Sequence, residues 1–133
     1  MAFGELPPRS GRREPRPERQ AAFRVGISGE SRAAAFLIAK GFRILARRWR
    51  SPLGEIDIVA KRGRLLVFAE VKARANLGEA AESVNVRQRR RIAAAAEIWL
   101  ANHPDESIHD IRFDAILVAP GKLPRHIPAA FEA

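Results

Sequence analysis

The chain has 133 residues, 47% of them apolar, with 24 lysines and arginines against 15 acidic residues and a formal net charge of +9. That length gives one compact domain with little left over, and every apolar run is broken by Arg, Glu or Lys well before the roughly 20 residues a bilayer span needs. The absence of cysteine excludes disulfide scaffolds, thiolate zinc sites and cysteine nucleophiles together and fits a reducing cytoplasm, while the positive balance favours polyanionic partners, nucleic acid first.

Residues 1–22 combine Pro7, Pro8, Pro15 and Pro17 with alternating Arg and Glu. This composition buries too little apolar surface to offset the entropy of ordering, so a disordered basic arm is predicted, and its lack of a hydrophobic stretch argues against a secretory signal. Ser28 is expected to cap a helix running to about Lys40, ended by Gly41 in the left-handed conformation. Ala33, Ala34, Leu37 and Ile38 follow helical spacing, and Glu30 shares their face. A carboxylate is unusual there, although a first-turn glutamate also complements the helix dipole.

Phe42 to Trp49 reads as a first strand and Ser51-Pro52-Leu53-Gly54 as the turn after it. From Glu55 to Ala60 the residues alternate with period two, so Glu55, Asp57 and Val59 share one face and Ile56, Ile58 and Ala60 the other. Lys61 to Arg64 reads as a hairpin turn into Leu65–Ala69, which is apolar on both faces and is predicted to be a central strand covered on both sides. That run closes on Glu70-Val71-Lys72, where period two puts both charges on one face of a buried strand.

A loop containing Asn76 and Gly78 leads to a long helix expected from about Ser83 to Asn102, packing through Ile92, Ala95, Ala96 and Trp99. Its first half carries Arg87, Arg89, Arg90 and Arg91. Ile111 to Val118 reads as a last strand, and Pro120, Pro124 and Pro128 predict an irregular tail over 120–133. The order helix, three strands, helix, strand describes an α/β domain over 23–119: a mixed sheet flanked by helices, with the third and last strands parallel across a helical crossover.

Phosphodiester hydrolysis needs a nucleophilic water, shielding of developing negative charge and a placed leaving oxygen, all of which divalent metal ions can supply. Magnesium or manganese sites take oxygen ligands, and for magnesium one or two carboxylates plus the substrate phosphate suffice. Asp57 and Glu70 lie on hairpin-linked neighbouring strands, where an ion could bridge them. Lys72, a pleat further on, could contact the attacking water or offset phosphoryl charge. Glu55 stands either as a supporting group behind Asp57 or as a residue shaping the turn after Gly54. The plain alternative is an arginine partner for Asp57 and a surface Glu70–Lys72 pair worth about 0–1 kcal/mol. The buried strand that Glu70 closes weighs against it, since an unpaired charge there is costly.

Gly54-Glu55-Ile56-Asp57 followed by Phe68-Ala69-Glu70-Val71-Lys72-Ala73-Arg74, with Gly26-x-x-Gly29-Glu30 upstream, resembles the YraN family of small bacterial proteins over about residues 26–118. That family is assigned to the restriction-endonuclease-like superfamily and is similar to archaeal Holliday junction resolvases. The resemblance implies a restriction-endonuclease-like core, metal-ligand roles for Asp57 and Glu70, a catalytic role for Lys72, and Glu30 as a further metal ligand from the first helix. Where the relatives open the basic part of the second long helix with lysine, this chain has Gln88, between Arg87 and Arg89. Two functions fit. One is a metal-dependent endonuclease acting on DNA, branched DNA included, with Arg74, Arg87, Arg89, Arg90 and Arg91 contacting phosphates. The other is a non-catalytic nucleic-acid-binding module that retains the fold. A protein-interaction adaptor using the Pro/Arg arm has composition alone behind it. By analogy, a resolvase-like role implies a two-fold homodimer.

Overall fold

Gly41 ends the first helix as its sequence position requires. In the computed structural model, which describes residues 29–82 and 85–132, helix α1 covers 29–39, and Gly41 takes the left-handed conformation with φ 94°. The Gly41 N–H donates to the Ile38 carbonyl at 2.9 Å and the Phe42 N–H to the Leu37 carbonyl at 3.0 Å, the paired bonds of a Schellman stop. The basic arm predicted over 1–22, Gly26 and the Ser28 cap lie outside the described residues.

The chain continues through β1 (Arg43–Ser51), β2 (Gly54–Arg62), β3 (Leu65–Ala73), α2 (Leu77–Glu82), α3 (Val86–Asn102), a 3-10 turn (Pro104–Ile108), β4 (Asp110–Val118) and β5 (Arg125–Phe131). The strands form one sheet in the order β1-β2-β3-β4-β5. Neighbours are antiparallel except β3 and β4, which run parallel across the α3 crossover. The class is therefore the expected α/β, with helices on both faces of a mixed sheet.

On one face Ala33, Ala34 and Leu37 of α1 pack against Ile58, Ala60, Val67, Ala69, Ile116 and Val118. On the other, Ile92, Ala95, Ala96 and Trp99 of α3 cover Val59, Leu66, Phe68 and Phe113. β3 is thus the middle strand, buried on both sides, and each large apolar side chain so buried contributes about 1.5–3 kcal/mol. Two glycines set how closely the helices approach. A Cβ on Gly29 would stand 2.8 Å from the Ala73 Cβ, and one on Gly54 would stand 2.7 Å from the Arg91 carbonyl oxygen.

Three expectations are corrected. The helix predicted from Ser83 begins at Val86, because the Asn85 side chain caps it by accepting the Gln88 N–H at 2.9 Å; residues 83–84 lie outside the described set. The loop predicted around Asn76 and Gly78 contains the short helix α2, started by the Asn76 side chain accepting the Glu79 N–H at 2.8 Å. The tail read as irregular holds β5, an edge strand on β4.

Pro128 is tolerated there because the β4–β5 register shifts between Phe113 and Ala115, a bulge that interrupts the ladder. Ala129, at φ 53°, turns its N–H to Asp114 Oδ1 at 2.9 Å. Asp114 has no exposed surface and also accepts from Arg112 Nε at 2.8 Å, Arg112 Nη2 at 2.9 Å and His126 Nε2 at 2.7 Å. Burial alone would push this carboxyl up, but the bonds from Arg112, His126 and the Ala129 N–H outweigh it and hold the group at about 2. Among the described residues, no helix is long and apolar enough to cross a membrane.

Candidate functional site

β2 and β3 pair from Arg62–Leu65 up to Ile58–Ala69 and then part, while β3 stays paired with β4 as far as Ala73. Past that point the Val71 N–H donates to Asp57 Oδ2 at 2.8 Å, so a side chain of β2 takes up a backbone donor of β3. Asp57 is fixed at the mouth of the fork. Because side chains alternate along β3, Glu70 and Lys72 follow Leu66 and Phe68 onto the α3 face, where Gln88 Nε2 donates to Glu70 Oε2 at 3.2 Å. Lys72 Nζ lies 2.8 Å from the same Glu70 oxygen. With exposures of 7% and 6%, Glu70 and Lys72 form a buried pair, not the surface pair of the plain alternative.

Glu30 comes from the opposite layer, in the first turn of α1, and is buried. Its Oε1 lies 3.4 Å from Arg47 Nη2 and 3.9 Å from Arg48 Nε. Arg48 stands at φ 54°, a left-handed backbone conformation that is strained for arginine. Burial pushes the Glu30 carboxyl up, and Arg47 and Arg48 pull it part of the way back. The Asp57 carboxyl is pushed well above the usual range, by burial first and the Glu70 charge next. The Val71 N–H opposes this, and Glu30 and Glu55 add to it. Four carboxylates therefore share one electrostatic neighbourhood. A cleft of about 220 Å³ opens on it, lined by Glu55, Asp57, Glu70, Gln88, Arg91 and Ile92.

Of the residues singled out in the sequence, Glu55, Asp57 and Glu70 line this cleft, Lys72 pairs with Glu70, and Glu30 stands close enough to act on the Asp57 charge while pairing with Arg47 and Arg48. Glu55 stands at the cleft wall, its Oε2 3.6 Å from Arg50 Nε. The arginines divide. Arg91 lines the cleft, Arg87 and Arg90 are exposed on α3, and Arg74 is exposed just beyond β3. Arg89 instead lays its guanidinium 5.9 Å from the Phe131 ring centre, packing toward β5. Sequence reasoning missed Arg47 and Arg48 as partners of Glu30. Gln88, noted in the sequence only as standing where relatives carry lysine, contacts Glu70, a pairing that no local pattern signals.

Among the described residues, no three Asp, Glu or His side chains gather their donor atoms about one point, because Glu30 turns to Arg47 and Arg48 and Glu70 to Lys72. The donor set still suits a hard divalent cation. It is all oxygen, and the burial and the Glu70 charge that together raise Asp57 are what a bound cation would offset.

A mixed sheet flanked by helices, with acids and a lysine where neighbouring strands part, defines an α/β protein with a restriction-endonuclease-like core. Residues 29–118 match Uncharacterised protein family UPF0102. A UPF0102 protein of Rhodopseudomonas palustris strain BisB5 is 61% identical over 125 residues, covering 94% of this chain and 95% of its own. Others from Bradyrhizobium diazoefficiens and Nitrobacter winogradskyi are 62% identical over 117 residues (88% of each chain) and 58% identical over 115 residues (86% of this chain and 98% of the relative). The chain belongs to this family, which is the YraN family.

Proposed function

We propose that this protein is a metal-dependent endonuclease that hydrolyses phosphodiester bonds in nucleic acid, acting on DNA and on branched DNA among its substrates. The observation that carries the proposal is the concentration of Glu30, Glu55, Asp57 and Glu70 at the parted strands. Burying Glu30 and Glu70 close to the Asp57 charge costs a fold stability, and a site that binds a cation recovers that cost in function.

Magnesium or manganese held by Asp57 and Glu70, with Glu30 completing the set, would polarise the phosphoryl oxygens and acidify a bound water. Asp57 is oriented for this by the Val71 N–H. Lys72, 2.8 Å from Glu70, is placed to hold the attacking water or to offset charge on the phosphoryl group. Its burial keeps that interaction out of competing solvent. Arg91 at the cleft wall and Arg74, Arg87 and Arg90 on the surface offer cations to backbone phosphates, in keeping with the +9 balance.

The test incubates the purified chain with linear, nicked, flapped and four-way-junction DNA and with structured RNA, in magnesium or manganese, beside Asp57→Ala. Cleavage that Asp57→Ala loses supports the proposal. Equal cleavage by both proteins identifies a contaminant and overturns it. Binding with a steep salt dependence and no cleavage by either protein assigns the chain to the non-catalytic binding module instead.

A further inference from the structure

α3 opens with Asn85 at its N-cap and Gln88 at its third position, the arrangement of a capping box, in which the glutamine side chain returns to the backbone N–H of the cap. Only half of that box forms. Asn85 Oδ1 accepts the Gln88 N–H at 2.9 Å, but the Gln88 side chain leaves its own helix and donates from Nε2 to Glu70 Oε2 at 3.2 Å.

This contact fixes which way the amide faces. A carboxylate only accepts, so the NH2 end must meet Glu70 and the oxygen must point away from it. That oxygen, Gln88 Oε1, is buried and has no hydrogen-bond partner among the described residues. Buried amide oxygens are almost always satisfied, and one that is not calls for an explanation. Gln88 lines the same cleft as Glu55, Asp57 and Glu70. Its backbone is held by the Asn85 cap and its amide nitrogen by Glu70, so the amide is fixed beside that cleft and does not sweep through solvent.

We infer that Gln88 Oε1 is a neutral oxygen donor to the coordination shell of the divalent cation held by Asp57 and Glu70. The inference rests on the metal-site reading given above. Its chemistry suits the surroundings. Four carboxylates already repel one another at this site, and a fifth would add to that repulsion, whereas an amide supplies an oxygen ligand without a charge. The Nε2 bond to Glu70 does a second job, steadying a ligand carboxylate through Oε2, the oxygen that Lys72 also contacts, as outer partners of metal ligands commonly do.

The test measures Mn2+ binding to the full chain without nucleic acid, by isothermal titration and by electron paramagnetic resonance of the ion, for wild type, Gln88→Ala, Gln88→Glu and Asp57→Ala. Circular dichroism confirms that each variant is folded. Gln88→Ala is expected to weaken Mn2+ binding by about 10-fold or more. Gln88→Glu keeps an oxygen at the position but loses the Nε2 donor and sets a fifth carboxylate against Glu70, so it is expected to bind no better than wild type. Asp57→Ala is expected to lose binding. Wild-type affinity in Gln88→Ala alongside loss in Asp57→Ala overturns the role of Gln88 and leaves the metal site standing. If Gln88→Ala misfolds, Gln88→Met, added to the series because it keeps the length of the side chain without the oxygen, decides, and undiminished binding there overturns the inference. Undiminished binding by Asp57→Ala instead overturns the metal-site reading beneath it.

Discussion

Replacing Asp114 with asparagine keeps the side chain's size and removes its charge at the point where β5 is stitched onto the sheet. The structure sets the magnitude. The carboxyl is lowered from 3.8 to about 2, and at about 1.4 kcal/mol per tenfold in proton affinity this is about 2.5 kcal/mol of stability. The sign follows from the direction. The unfolded chain takes up this proton more readily than the folded one, so the contribution is fully present above pH 3.8 and drains away as the pH falls through about 2. Asparagine has no such proton. Urea unfolding followed by the fluorescence of Trp99 and Trp49, between pH 6 and pH 2 at constant ionic strength, should therefore show a gap between the two proteins. At pH 6 it should be about 3 kcal/mol or more, since Arg112 and His126 also lose a charged acceptor. It should narrow by about 2 kcal/mol on reaching pH 2, where the folded carboxyl is half protonated. A gap that stays constant across that range would refute the reasoning, because the loss would then owe nothing to the charge.

Asp57→Asn should act in the opposite sense. A carboxyl pushed up by burial and by the Glu70 charge costs stability as the pH rises past its ordinary range, so in metal-free buffer at neutral pH the variant should melt at a higher temperature than wild type. The same variant should lose the stabilisation wild type gains from Mg2+, about 2.7 kcal/mol at a hundredfold excess over the dissociation constant, as read by differential scanning fluorimetry. Gly54→Ala should cost about 1–3 kcal/mol in urea unfolding, because the new methyl meets the backbone oxygen of Arg91, which cannot step aside without α3. Gly29→Ala meets only the Ala73 methyl, so adding Ala73→Gly should restore much of what it loses in a double-mutant cycle. Replacing Arg87 or Arg90 by alanine should reduce the salt slope of DNA binding by about 1 each in fluorescence anisotropy. Arg89→Ala should show its effect in thermal stability instead, through Phe131.

The parts of the fold that follow from local periodicity were legible. Leu65 to Lys72 reads as a strand buried on both faces with two charges at its end, and it occupies the centre of the sheet. Gly41 ends α1 because few other residues take that backbone conformation without strain. What stayed hidden depends on partners distant in sequence. β5 contains Pro128 and looks unlike a strand until the bulge and the buried Asp114 that accepts the Ala129 N–H are known. At the candidate site, alternation along β3 put Glu70 and Lys72 on the α3 face with Leu66 and Phe68, but along β2 it failed at Ile56, which was expected beside Ile58 and Ala60 and instead packs with Val59 under α3. No local pattern could show that Arg47 and Arg48 would meet Glu30, a contact that requires α1 to lie against the end of the β1–β2 hairpin. Gln88 was hidden for a subtler reason. Its sequence context satisfies a helix cap, and only the nearness of Glu70 diverts the side chain.

The bond from the Val71 N–H has a consequence for denticity. Oδ2 already accepts from the backbone of β3, so an ion held by Asp57 as proposed would have to share that oxygen with the bond if it bound through both. Calcium fills a shell of about six to eight oxygens and often takes carboxylates through both, whereas magnesium accepts single-oxygen ligands and keeps water in the remaining positions. A strand fork that engages one oxygen of its carboxylate would thus favour the single-oxygen mode and with it the smaller ion, with positions left open for a water and a phosphate oxygen.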